Sequence, residues 1–97
     1  MEIYKGRPIF YGLGNLTFSA GHLGHRHAGW IGMLVEVTVE DGSIIGCQFS
    51  FVRSNANNES FLCRLADEVE ALADLDARSS KLGATFKPEG NRVRVML

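Results

Sequence analysis

Trp30-Ile31-Gly32-Met33-Leu34-Val35-Glu36-Val37-Thr38-Val39-Glu40-Asp41-Gly42-Ser43-Ile44-Ile45-Gly46-Cys47-Gln48-Phe49-Ser50-Phe51-Val52 is the stretch that decides the fold. In its first half Val35, Val37 and Val39 alternate with Glu36, Thr38 and Glu40. A two-residue period of this kind belongs to a strand with one buried and one wet face. Asp41-Gly42 follows, a pair suited to the positive φ angles of a tight hairpin turn. The return, Ser43 to Val52, sets Ile45, Cys47, Phe49 and Phe51 on one face, and Ile44, Gly46, Gln48 and Ser50 on the other. Ile31 to Val35 is apolar nearly throughout, which predicts cover on both faces there.

Beyond the hairpin, Arg53 to Glu59 is polar and Asn-rich and reads as a loop. Ser60 to Leu82 then carries Leu62, Leu65, Val69 and Leu72 at helical spacing, continued by Leu75 and Leu82. This predicts one long helix, capped by Asn58 or Ser60 and stopped at Gly83. Arg64, Asp67, Glu68, Glu70, Asp74 and Arg78 make its solvated face. Ala84 to Lys87 and Arg92 to Met96 predict two short strands joined around Pro88-Glu89-Gly90-Asn91. Arg92 and Arg94 alternate with Val93 and Val95, which suits an edge strand guarded by charge.

Towards the other end, Ile3 to Tyr11 reads as a strand broken at Gly6, with Lys5-Gly6-Arg7 a tight turn and Pro8 at a strand start or edge. Gly12-Leu13-Gly14-Asn15 lets the backbone turn sharply, and Leu16 to Phe18 resumes an extended pattern. Ser19 to Gly29, rich in Gly and His and without period, reads as a long loop. The sum is an α+β fold over 1–97: a mostly antiparallel sheet with one long helix packed on it.

With 97 residues the chain holds one small domain. A net charge of −1, with the charges interspersed, gives no footprint for nucleic acid or an anionic membrane. No apolar run approaches the roughly 20 residues of a membrane span, and no basic segment precedes an apolar one as in a signal peptide. Cys47 and Cys63 lack a C-x-x-C spacing and read as buried thiols; a disulfide between them needs an oxidising compartment.

His22, His25 and His27 are the one constellation with chemical potential. Three imidazoles on a loop can close around a metal such as zinc, but the spacing brings no carboxylate to orient them, and the plainer reading is a solvated loop. Glu40-Asp41 is turn chemistry rather than an acid–base pair. Ser19, Ser79 and Ser80 have no base partner in the sequence, and Gly12 and Gly14 complete no phosphate-binding motif.

Glu2-Ile3-Tyr4-Lys5-Gly6-Arg7-Pro8-Ile9-Phe10-Tyr11 resembles the E-x-Y-x-G-x-P-I-x-Y pattern of the bacterial capsule-synthesis family CapA, also called the poly-γ-glutamate synthesis family. Leu13-Gly14-Asn15 matches its L-G-N, and Arg78-Ser79-Ser80-Lys81-Leu82-Gly83-Ala84 resembles its helix end. Gly12 stands where the family often has Ser, and Leu16 where it often has Phe. That family is related to calcineurin-like metallophosphatases. The resemblance implies a non-catalytic C-terminal portion that completes a β-sandwich and shapes one rim of a metal site, in a protein of capsule or poly-γ-glutamate synthesis. It implies supporting roles for Gly12, Gly14 and Asn15, the last through its amide. In that family the G-H-x-x-H ligands precede the strand and its L-G-N, whereas His22, His25 and His27 follow Leu13-Gly14-Asn15, so no ligand role passes to them. The resemblance assigns the divalent metal and a phosphoesterase-like hydrolase activity to the parent protein, none to this portion itself, and suggests a cell-envelope location, with a cytoplasmic one the alternative. A piece cut from a sandwich exposes an orphaned apolar face, which implies a homodimer in isolation. The alternative is a free-standing binding or dimerisation module whose histidine loop is a metal or partner site.

Overall fold

Strands β3 (Ile31–Glu40) and β4 (Ser43–Ser54) form the long antiparallel hairpin that the alternation predicts. The computed structural model describes residues 1–14, 30–57 and 59–97. The extended segment expected at 16–18, the loop expected at 19–29 and the cap expected at Asn58 lie outside them. Asp41 and Gly42 turn with φ of 51° and 75°, the pair of positive angles that a two-residue hairpin needs. Thr38 stands opposite Gly46, but Val39 stands opposite Ile44. Ile45 is therefore the extra residue of a bulge, and Ile44 takes the place expected for Ile45 on the Val37–Val39 face.

β4 is the spine of the sheet. β7 (Arg92–Val95) pairs with it at Gln48 and Phe49, and β6 (Phe86–Glu89) pairs outside β7, giving the order β3-β4-β7-β6. The expectation of an edge strand at Arg92 to Met96 is corrected: β7 is interior, with Val93 and Val95 buried, and β6 takes the edge. Pro88 in β6 explains the placement, since a residue without an N–H belongs at a sheet margin. β1 (Glu2–Tyr4) and β2 (Arg7–Ile9) form a separate small hairpin, turned by Lys5 and Gly6 at φ of 49° and 72°.

The long helix is also corrected. α1 spans Val69–Ser79 only. Ser60–Leu62 is instead a short strand, β5, paired with the last residues of β4, and Leu65–Asp67 is a single 3₁₀ turn. Leu62 and Val69, counted in the helical stripe, are 60% and 65% exposed. The free backbone of the long β4 captures residues 60–62, so tertiary pairing overrides local propensity. Ser80–Leu82 follows α1 as a 3₁₀ turn, and this helical stretch stops at the expected Gly83, which adopts φ 79°, while the Gly83 and Ala84 N–H groups donate to the Ser80 and Ser79 carbonyls.

Ala71, Leu72 and Leu75 of α1 pack on Cys47, Phe49, Phe51, Val93 and Val95. Phe49 sits edge-on to both Phe51 and Phe86, with ring centroids 5.4 and 5.5 Å apart. Gly32, Ser50 and Val52 are buried on the sheet's other face, so both faces are covered at Gly32, but Leu34 on that same face is exposed and the cover expected through Val35 stops short. Cover stops before the hairpin's end. Val37, Val39, Ile44 and Ile45 are 50%, 59%, 40% and 55% exposed, contrary to the single buried face expected along β3. One short helix cannot roof a hairpin of this length.

Candidate functional site

Gly12 and Gly14 lie where the chain leaves the small hairpin and runs beside the start of β3. The Met33 N–H donates to the Leu13 carbonyl at 2.7 Å, so this segment pairs with the outer edge of β3. Gly14 has φ 71°, and a β-carbon there would sit 2.9 Å from both the Gly32 Cα and the Ile31 carbonyl oxygen. Only glycine fits so close to another backbone. Between this segment and α1 lies a cleft of about 230 Å³ floored by Ile31, Met33, Phe51 and Leu75. Asp74 and Arg78, joined by an exposed ion pair, close its rim. The cleft offers apolar surface and a charge pair already satisfied, which suits an apolar side chain better than a reacting group. Asn15, His22, His25 and His27 lie outside the described residues. Among the described residues no three His, Cys, Asp or Glu side chains converge as a metal site.

A cluster that the sequence did not announce sits at the helix start. The Arg53 guanidinium donates to both Glu68 carboxylate oxygens, at 2.7 and 2.8 Å. Glu68 is 6% exposed and ends the turn from which α1 begins. The bonds from Arg53 hold its carboxyl below the usual carboxylate range, with a further hydrogen bond from the Cys63 thiol. Burial, then the Glu68 charge, push the Cys63 thiol up. Burial alone raises Cys47. A nucleophilic cysteine needs the opposite shift. Glu68, kept ionised by a bidentate partner, is no proton shuttle near neutral pH. The cluster is a clamp that ties β4, β5 and α1 together. Arg53 and Glu68 stand fifteen positions apart on different elements, so no periodicity could pair them.

Ser79, which had no base partner in the sequence, is fully buried and accepts a hydrogen bond from the Met1 nitrogen at 3.0 Å. That bond ties the residue before β1 to the end of α1, and burial closes the hydroxyl off from solvent. Tyr11 donates to the Glu2 carboxylate on the same hairpin's surface. Cys47 and Cys63 are both free and buried thiols. No helix among the described residues is long and apolar enough to cross a membrane.

The third feature is the hairpin's end. On one face, Val37, Val39 and Ile44 form a continuous exposed apolar strip, with Ile45 beside it on the bulge. On the other, Glu36 faces Arg92 at 3.5 Å and accepts a bond from Gln48 at 3.4 Å. One side of the projecting sheet is apolar and the other polar. The bulge pattern could have announced only part of this, because exposure depends on where the helix ends.

No protein-family model matches this chain, and no curated protein or solved structure matches it either.

Proposed function

We propose that this chain is a non-catalytic binding and assembly module whose working surface is the exposed end of the β3–β4 hairpin. The observation that carries the reading is the exposed strip of Val37, Val39 and Ile44, on strands that are otherwise well paired. Apolar residues scattered singly on a surface need no explanation, but a strip of neighbours on one sheet face marks an interaction surface. The chemistry of the described residues supports the same reading. Both thiols are buried and raised, and the buried carboxylate is committed to Arg53.

The test has two parts. The purified chain, offered chromogenic phosphate and carboxylic esters with and without added manganese or zinc, should show no turnover above background. The double variant Val39→Lys, Ile44→Lys should fold normally by circular dichroism yet lose association. Turnover that co-purifies with the chain would contradict the reading.

The same exposed strip favours a second form of the proposal, suggested by the resemblance to the CapA family. In it the chain is the C-terminal portion of a metallophosphatase-related protein of capsule or poly-γ-glutamate synthesis. The rest of a β-sandwich covers the strip, and Gly12, Gly14 and Asn15 border the parent's divalent-metal site. An upstream reading frame carrying G-H-x-x-H supports this form; a stop codon directly before Met1 contradicts it.

A further inference from the structure

Resting on the reading of the chain as an assembly module, we infer that the partner at the hairpin's end is a second copy of this chain. The two β3 strands pair antiparallel about a two-fold axis at Val37, joining two sheets into one.

β3 is the outer strand of the sheet among the described residues. Its outward backbone is used at Met33, whose N–H meets the Leu13 carbonyl. Outward and inward groups alternate along an antiparallel strand, so Val35, Val37 and Val39 also aim their N–H and C=O groups outward. No backbone bond to these three crosses that edge among the described residues. Among the described residues the edge is therefore open from Leu34 to Glu40, and its midpoint is Val37. Long open edges bearing apolar side chains are templates for pairing with another chain.

Chemistry selects the register. Residues directly opposite in a sheet share a face, so a match of apolar to apolar requires odd positions to meet odd positions. Centred on Val37, the register sets Val37 against itself, Val35 against Val39, and Glu36 against Thr38, whose hydroxyl can donate to the carboxylate. Centring on Glu36 opposes two Glu36 carboxylates. Centring on Thr38 opposes Glu36 and Glu40. Like charges directly across a sheet are destabilising. Centring on Val35 drives the partner into the Leu13 segment, and centring on Val39 leaves Val37 facing Asp41. The Val37 register alone pairs the whole open edge, and it forms roughly six backbone hydrogen bonds. Because the axis stands perpendicular to the sheet, the exposed Val37, Val39 and Ile44 strips of the two copies merge on one face.

Sedimentation equilibrium up to about 1 mM tests the proposal, a range that captures weak association. The chain should be dimeric at the upper end. Val37→Lys, at a half-exposed site, should be monomeric throughout with an unchanged circular dichroism spectrum. A wild-type monomer at that concentration, or a dimer that survives Val37→Lys, overturns it. Register is read by cross-linking. An oxidised mixture of Glu36→Cys and Thr38→Cys chains should form the mixed disulfide, while neither alone dimerises covalently. Self-linking of Glu36→Cys alone overturns the register. A monomer without enzymatic turnover overturns the second copy and leaves the assembly reading standing, whereas turnover overturns that reading itself.

Discussion

Two halves of one hairpin behave differently. Around Phe49, β4 is packed between α1 and β7, and Cys47, Phe49 and Phe51 are buried. A few residues away, Val37, Val39, Ile44 and Ile45 carry the same kind of side chain on the same two strands and stand in the open. The alternation of valines with polar residues is cleanest in the exposed half. Strand periodicity therefore records which residues share a face, and the length of the covering helix decides which of them are buried. What the fold leaves uncovered is available for association.

The sharpest contrast between the halves is energetic. Phe49→Ala should cost about 3–5 kcal/mol, because it empties a fully buried site that two aromatic rings line. On a small domain this is enough to broaden or abolish the thermal transition. An unaffected melting temperature would mean that the core lies elsewhere. At the margin between the halves, Gly14→Ala should cost about 2–3 kcal/mol, from positive-φ strain and contact with the Gly32 backbone. A loss confined to the Gly12–Gly14 segment, seen by amide exchange, would fit; no loss at all would contradict the close approach.

Glu68→Gln should cost roughly 2 kcal/mol. That is less than for a fully buried pair, since the Arg53 side chain is 30% exposed. The sign with pH follows from the depressed carboxyl. Its folded pKa lies below its unfolded one, so its contribution is present above about pH 4.3 and is lost as pH falls through the folded value. Urea titrations from pH 7 down to 3 should show wild type losing more stability than Glu68→Gln; parallel curves would contradict the clamp. The smallest effect belongs to the exposed half. Val39→Lys should change monomer stability by no more than about 0.5 kcal/mol. A loss comparable to that of Phe49→Ala would mean that the tip is part of the core.

Much of the architecture is legible from local pattern. The turn residues Asp41-Gly42, Lys5-Gly6 and Gly83 each name their own backbone angles, and those angles are present. Of the two terminal strands, β7 follows from the alternation of Val93 and Val95 with Arg92 and Arg94, although its interior place in the sheet does not. The helix start is where local reading fails. Leu62, Leu65 and Val69 fit a helical stripe, but β4 offers a free edge to Ser60–Leu62, and strand pairing wins. The Arg53–Glu68 clamp is invisible for a related reason, being a contact between elements whose positions that pairing sets. Of the two glycines in the Gly-Leu-Gly turn, Gly14 takes the positive φ that the sequence suggests, at 71°, whereas Gly12 does not and has open space around it. The contact that makes Gly14 irreplaceable, Gly32, belongs to a strand that no local rule connects to it.

The most direct test is amide hydrogen exchange of the intact chain at high and low concentration. The outward amides of Val35, Val37 and Val39 should gain protection as concentration rises, while those of Phe49 and Phe51 stay equally protected throughout. Edge amides that exchange at the same rate over the whole range would contradict the edge pairing.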